Sequence, residues 1–282
     1  MRAIAEFAMR GRVYATAISM VAAALPLLGW LSTVIVALVC LRSGMAAGAL
    51  IFLWTLLPVG VAFYFLGDPS SMIALVGTFT MAMLLRQTLS WELVLVASVV
   101  VSAAGALVFE FSAAAILDGF VQIYIAYLEQ LDASVVIEPA QARKLLMSFF
   151  ALGQAFSMVV MLMIARWCQS ALYNPGGFGK EFHQLRLSPA VSGSIVLAMA
   201  VCYMFGDQLG RWLPLLTVPL VFASIGLVHW LISNRGLSKN WIAGFYGSLA
   251  LLFQIVYPFL ASFALMDSWF DIRNRIETIQ KD

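Results

Sequence analysis

The chain has 282 residues, of which 63% are hydrophobic and only 11% are charged, and its mean hydropathy is +0.96. Soluble domains are about 45–50% apolar and about 25% charged, so this composition excludes a water-soluble enzyme, a disordered chain and a fibrous protein. The net charge is +2, and the Lys and Arg residues lie mostly at the ends of apolar runs, which is typical of topology signals and not of a nucleic-acid surface. We therefore expect an all-α, polytopic transmembrane helical bundle that lies in the lipid bilayer and binds no nucleic acid.

Residues 1–12 predict a short amphipathic helix on the membrane surface, because Ile4, Phe7 and Ala8 share one helical face. The apolar run that follows, 13–41, is long for one span and short for two. Pro26 near its middle favours two short spans, about 13–25 and 28–41, over a single kinked helix.

The first of these spans carries a stripe of small residues at Ala15, Ser19 and Ala23. Small side chains spaced by four residues allow helices to approach closely in a membrane. The stripe predicts either packing inside the chain or docking of another membrane subunit.

Further apolar runs bring the expected total to eight or nine spans, and nine places the N-terminus inside. A break at Pro258 would turn the last run into a hairpin. The runs lie at about 45–66, 71–86, 93–117, 142–167, 189–206, 212–233 and 241–266.

Two longer connections differ in charge, and this difference predicts their sides of the membrane. Segment 118–141 has apolar residues at helical spacing and acidic residues between them, so we expect an amphipathic outer-loop helix. Segment 166–188 carries basic residues and is expected in the cytoplasm by the positive-inside rule. A candidate outer pocket beneath the outer-loop helix would be lined by Trp91, Glu110, Asp118 and Tyr124.

Several kinds of chemistry lack their residues in this sequence. The glycine-rich stretch before Lys180 is not a P-loop, because Glu181 replaces the required Ser or Thr. The chain has two histidines and three widely spaced cysteines, which predict neither a metal site nor a disulfide framework. No acidic or basic residue is expected at mid-membrane depth, so we expect no autonomous proton-coupled pump. We expect no enzyme activity and no cofactor.

Two polar tracts are candidates for contact with a partner protein or with anionic lipid. The loop 174–187 is long for a helix connection, and its aromatic residues are too apolar to stay in water, so we expect it to fold back on the spans. Its candidate contact residues are Asn174, Phe178, Lys180, Phe182 and Arg186. In the C-terminal tract, the candidates are Asp271 and Arg275, which a spacing of four places on one helical face.

Some polar tracts resemble a known family. The tract from Arg166 to Phe178, the ending from Asp267 to Arg273, and Leu41-Arg42-Ser43-Gly44 are similar to the proteobacterial branch of the YybS-like membrane proteins, a family of unknown function. The layout of its first six spans is distantly similar to the S components of energy-coupling factor transporters. This resemblance implies a six-span core at 13–168, a cytoplasmic loop at 169–188 and additional C-terminal spans with a tail at 189–282.

Two functions fit these observations. One is a non-energised solute-binding or transport-related subunit of the bacterial inner (cytoplasmic) membrane. The other is a structural or regulatory membrane scaffold that binds partner proteins or lipid and no small-molecule substrate.

Overall fold

A computed structural model describes residues 1–131 and 137–279 of the chain. The tip of the predicted outer loop, 132–136, and the end of the tail, 280–282, lie outside the described residues. The chain divides into two compact units, Met1–Pro175 and Gly176–Asp282. The described residues are helices joined by short turns, so the predicted all-α class is confirmed.

The first unit contains eight helices among its described residues, and most of the connections between them are tight. In chain order these are α1 (Arg2–Ala8), α2 (Arg12–Ala24), α3 (Gly29–Ser43), α4 (Met45–Leu66), α5 (Ser70–Thr88), α6 (Trp91–Ser112), α7 (Ala114–Leu131) and α8 (Pro139–Tyr173).

The second unit alternates long helices with short helical turns. Its helices are α9 (Gly177–His183), α10 (Pro189–Met204), α11 (Gly206–Leu209), α12 (Leu213–Leu216), α13 (Val218–Asn234), α14 (Asn240–Leu251), α15 (Phe253–Phe270) and α16 (Ile272–Ile279), with a 3₁₀ turn at Gly210–Trp212.

Four helical stretches among the described residues are long and apolar enough to cross a membrane, or five if α14 and α15 count as one broken span. The four are Met45–Leu66, Trp91–Ser112, Pro139–Tyr173 and Gly206–Asn234. They indicate a multi-pass membrane protein but do not support the predicted count of eight or nine. The apolar helices α2, α3 and α10 have 13, 15 and 16 residues, which is short against the ~20 that a span requires.

Two predicted breaks can now be compared with the structure. The 13–41 run is interrupted at Leu25–Leu28, where Leu27 has a φ of 68°, so two helices form and the alternative of one kinked helix is wrong. The 241–266 run also breaks, with a bend of 117° between α14 and α15. That break lies at Leu252, whereas Pro258 stays inside α15.

Helix α3 forms the centre of the first unit. Its residues from Leu31 to Leu41 are all buried, and α2, α4, α5 and α8 pack around it. Helix α4 approaches it closely at Gly48, where an added Cβ would lie 2.8 Å from the Cα of Cys40. Across α2 and α4, the hydroxyls of Ser19 and Thr55 are hydrogen-bonded at 2.6 Å in the buried interior.

Two arginines lie at one end of the first unit. At this end, Arg86 donates to the carbonyl of Leu41, Gln169 donates to the same carbonyl at 3.2 Å, and Arg42 lies 4.0 Å from the ring centroid of Tyr173. At the other end of α5, Gln154 donates to the Ser70 carbonyl. Arg42 and Arg86, in the last turns of α3 and α5, thus lie at the same end.

The N-terminal helix is shorter than the predicted 1–12 element. Helix α1 buries Ala5 and Ala8, whereas Phe7 is exposed and its ring packs edge-on against Tyr14 at 5.3 Å. The predicted face of Ile4, Phe7 and Ala8 is therefore only partly the buried face, because α1 packs against the unit through its alanines.

The outer-loop helix begins earlier than predicted, at Ala114. Leu117 and Val121 are buried where α7 packs against α8. The residues predicted as its apolar face form a second, exposed stripe at Phe120, Ile123, Tyr127 and Leu131.

The contact at Gly48 leads to the first prediction. Gly48→Ala should lower the free energy of unfolding by about 1–3 kcal/mol, because the new methyl meets the α3 backbone, which cannot move aside. Gly60→Ala is the matched control in the same helix, since nothing lies within 4 Å of its added Cβ. Thermal unfolding in detergent measures both variants. Equal midpoints for the two would contradict the close packing of α3 and α4.

Candidate anion-binding site

The segment after the first unit folds back on a helix of its own unit, as predicted. The ring of Phe182 on α9 lies 5.2 Å from that of His229 on α13, in an edge-on contact. Gly226 makes this approach possible, because a Cβ there would lie 2.9 Å from the Phe182 carbonyl oxygen. Leu185 and Leu187 are buried.

The C-terminal end of α15 fixes the irregular chain that follows α9. Ser268 is fully buried, and its hydroxyl donates to the Leu187 carbonyl at 2.8 Å. The same hydroxyl oxygen lies 2.7 Å from that of Ser192, which also accepts a hydrogen bond from the indole of Trp269. These contacts hold residues 187–192 against α15.

A buried arginine completes this attachment. Arg273 is 8% exposed and pairs with the Asp267 carboxylate at 3.0 Å. Its two terminal nitrogens donate to the carbonyls of His183 and, at 2.6 Å, Leu185. Asp271 caps the C-terminal end of α15 with a φ of 49°. This left-handed turn ends α15 before Ile272 and Arg273. One guanidinium therefore satisfies the carbonyl of His183, which ends α9, and that of Leu185, which lies beyond it.

Arg186 provides a second, more exposed link. It pairs with Asp271 at 2.7 Å and donates to the Ser268 carbonyl at 3.1 Å. Although burial alone would raise the pKa of Asp271, hydrogen bonds from Asn274 and Arg186 and the charge of Arg186 hold that pKa below its usual range. The carboxylate is therefore ionised at neutral pH, and the pair is complete.

A polar pocket of about 450 Å³ lies beside these pairs. It is lined by Lys180, His183, Gln184, Arg186, Trp230, Asp271, Arg273 and Asn274. Because Asp271 balances Arg186 and Asp267 balances Arg273, the positive charge of Lys180 is left over. Within the part of the chain that the structure describes, Lys180 is exposed and makes no ion pair.

The neutral lining groups add hydrogen-bonding capacity to this charge. Gln184 and Asn274 contribute side-chain amides. Burial, together with the nearby Arg273 charge, lowers the pKa of His183, so its imidazole is neutral at pH 7 and can still donate one hydrogen bond. A surplus cation beside neutral donors suits a small anionic group such as a phosphate or carboxylate.

The structure brings together some of the predicted contact residues. Lys180, Arg186 and Asp271 line one pocket, and the Phe178 ring stacks on that of Phe182 at 5.7 Å. Asn174 belongs to the first unit, and Arg275 is exposed and does not line the pocket. The spacing of four predicts a pair between Asp271 and Arg275, but the Asp271 carboxylate pairs with Arg186 instead.

His183, Gln184, Arg273 and Asn274 were not predicted. Arg273 ends the polar tract that begins at Asp267, but nothing in the spacing of that tract marks Arg273 as buried. Its burial follows from its contacts with Asp267 and with the carbonyls of His183 and Leu185.

The four residues of the candidate outer pocket do not all lie together. Trp91 and Glu110 lie near opposite ends of α6, about 28 Å apart at 1.5 Å per residue. Asp118 forms an ion pair with Arg143 of α8, and Tyr124 is half-buried on α7. The structure therefore does not bring Trp91 to the other three residues.

The small-residue stripe packs inside the first unit. Ala15 and Ser19 are buried and Ala23 is half-buried, where α2 packs against α3 and α4. This face of α2 is therefore not open to a second subunit.

The buried arginine gives the second prediction. Arg273→Gln should lower the free energy of unfolding by about 3–5 kcal/mol, because it leaves the Asp267 carboxylate buried without its charge partner. Arg275→Gln is the matched control, two residues away and exposed, and should change stability by less than about 0.5 kcal/mol. Thermal unfolding of the purified variants compares them. A wild-type midpoint for Arg273→Gln would show that the network adds no stability.

Comparisons of the chain with protein-family models, with curated proteins and with solved structures return no match. The resemblance to the YybS-like family therefore stays a prediction that rests on the tracts quoted above. The chemistry of the pocket rests on its own residues.

Proposed function

We propose that this multi-pass membrane protein binds a small anionic ligand in the polar pocket of its second unit. The observation that carries the proposal is the unbalanced charge of Lys180 at a pocket of about 450 Å³ whose other cations are already paired. The ligand class is a solute or headgroup that carries a phosphate or a carboxylate.

The paired arginines support this function by their rigidity. Arg186 and Arg273 are held by carboxylates and backbone carbonyls before any ligand arrives. Groups that are fixed in advance lose little conformational entropy on binding. Lys180 has a flexible stem and can close on an anion without disturbing these pairs.

Charge also supports an orientation in the bacterial inner membrane. Arg42 and Arg86 lie at the same end of the first unit, and by the positive-inside rule this end faces the cytoplasm. The acidic helix α7 then lies on the outer side. In this proposal the chain is a YybS-like protein that acts as a non-energised, solute-binding or transport-related subunit and not as an enzyme.

Anion binding is tested directly with inorganic phosphate and sulfate. Either anion should raise the unfolding midpoint of the purified protein above that in chloride at equal ionic strength, because a ligand that binds only the folded state stabilises it. Lys180→Ala should abolish this rise. Lys239→Ala, an exposed lysine of the same unit outside the pocket, should leave it unchanged.

The same experiment separates the proposal from its alternative. If Lys180→Ala responds to both anions as the wild type does, the pocket binds no anion. The arginine network then only stabilises the fold, because Arg186 and Arg273 are already paired with Asp271 and Asp267. That result favours the scaffold function.

Orientation is tested by cysteine labelling in intact cells. All three native cysteines are buried and are replaced by alanine in the background used. A cysteine at Glu129 on α7 should react with a membrane-impermeant maleimide, whereas one at Thr88, at the basic end of α5, should react only after the membrane is opened. Labelling of position 88 but not 129 in intact cells would reverse the orientation.

A further inference from the structure

A second cavity in the C-terminal unit has a different character from the polar pocket. It has a volume of about 730 Å³ and lies between the second half of α13 and helix α14. Val228, Leu231 and Ile232 form its wall on α13, and the two cavities share no lining residue. This cavity is a groove for an apolar group.

Small residues on α14 keep the groove open. Gly244 and Ser248, spaced by four, line it on that side, and nothing lies within 4 Å of a Cβ built on Gly244. Helix α14 has no buried residue at all within the described structure. The space between the two helices is therefore not filled by side chains.

The medium around these helices determines what fills the space. Gly206–Asn234 is apolar enough to cross a membrane, and so are α14 and α15 taken together. In a bilayer, an open apolar groove between such helices meets hydrocarbon and not water. A lipid acyl chain is the flexible apolar group that this surrounding supplies.

Among the described residues that line the groove, one is charged, Arg235, and its positive charge favours a lipid with an anionic headgroup. Arg235 caps the C-terminal end of α13 and lines the groove, and Trp241 lines the same groove. None of the lining residues is acidic, and the connection 233–241 contains two cations and no acid. A Trp and an Arg at the ends of membrane helices are typical of the headgroup region.

We propose that this groove binds one acyl chain of an anionic phospholipid, with the lipid phosphate held at Arg235. The inference does not rest on the proposed anion pocket, because its residues and its ligand are different. It adds a lipid site between α13 and α14, apart from the two tracts that the sequence predicts for contact with a partner protein or with anionic lipid.

Native mass spectrometry of the full chain in detergent tests the site, with phosphatidylglycerol and phosphatidylcholine added separately. Phosphatidylglycerol should give the more abundant bound species in the wild type. Gly244→Leu should remove most of the bound lipid, because the added side chain occupies the groove. Gly247→Leu is the matched control, since Gly247 has equally open space but does not line the groove.

The headgroup contact is tested separately. Arg235→Gln should reduce the preference for phosphatidylglycerol over phosphatidylcholine about fivefold while both lipids still bind, and Lys239→Gln should reduce it less. Ser248→Leu repeats the test of the groove if Gly244→Leu does not fold.

Two outcomes would overturn the proposal. One is equal lipid binding by the groove-filling variants and the Gly247→Leu control. The other is a lipid-free wild type whose dimer is lost on Gly244→Leu, which would make a second copy of the chain the occupant. Loss of the phosphate response in Lys180→Ala does not bear on these outcomes.

Discussion

Backbone carbonyls at helix ends in an apolar medium must find a donor, and this requirement determines the polar contacts inside each of the two units. An unsatisfied group costs several kcal/mol in hydrocarbon, which is why spanning segments are helices. The chain leaves helical geometry between α9 and α10, and there Arg273 and Ser268 donate to the carbonyls of Leu185 and Leu187. At the end of α3, Arg86 and Gln169 serve the Leu41 carbonyl in the same way. Arg86, Gln169 and Arg273 thus act as donors at or beyond helix ends.

The sequence predicts helix positions well where a local signal determines them. Ser90 and Ser188 each accept a hydrogen bond from the backbone N–H three residues on, and α6 and α10 begin directly after them. Span counting fails for another reason. Hydropathy describes a run of residues, whereas a span also needs an uninterrupted length, and the bend at Leu252 has no proline or glycine to announce it.

The candidate site could be predicted only in part, because its parts come from segments far apart in the chain. Lys180 and Arg186 stand out as cations within an apolar-aromatic loop, and Asp271 as an acid near the C-terminus. Their meeting depends on α15 returning to α9, which follows from tertiary packing. Which of the two nearby arginines, Arg273 or Arg275, lines the pocket depends on the positive φ of Asp271. A non-glycine residue seldom adopts this conformation.

Helix α13 explains how one small unit can carry two different cavities. Its apolar segment is largely buried within the protein, so it is an interior helix despite a composition that suits a membrane span. Trp230 faces the polar pocket, while Leu231 and Arg235 face the apolar groove. The difference between the two sides arises from what packs on each. Helix α9 and the arginine pairs cover one side with polar groups, whereas α14 lines the other with two small residues, Gly244 and Ser248, and the rings of Trp241 and Phe245. Because α14 buries none of its residues, the composition of the groove can change without disturbing the network that holds α15 to α9.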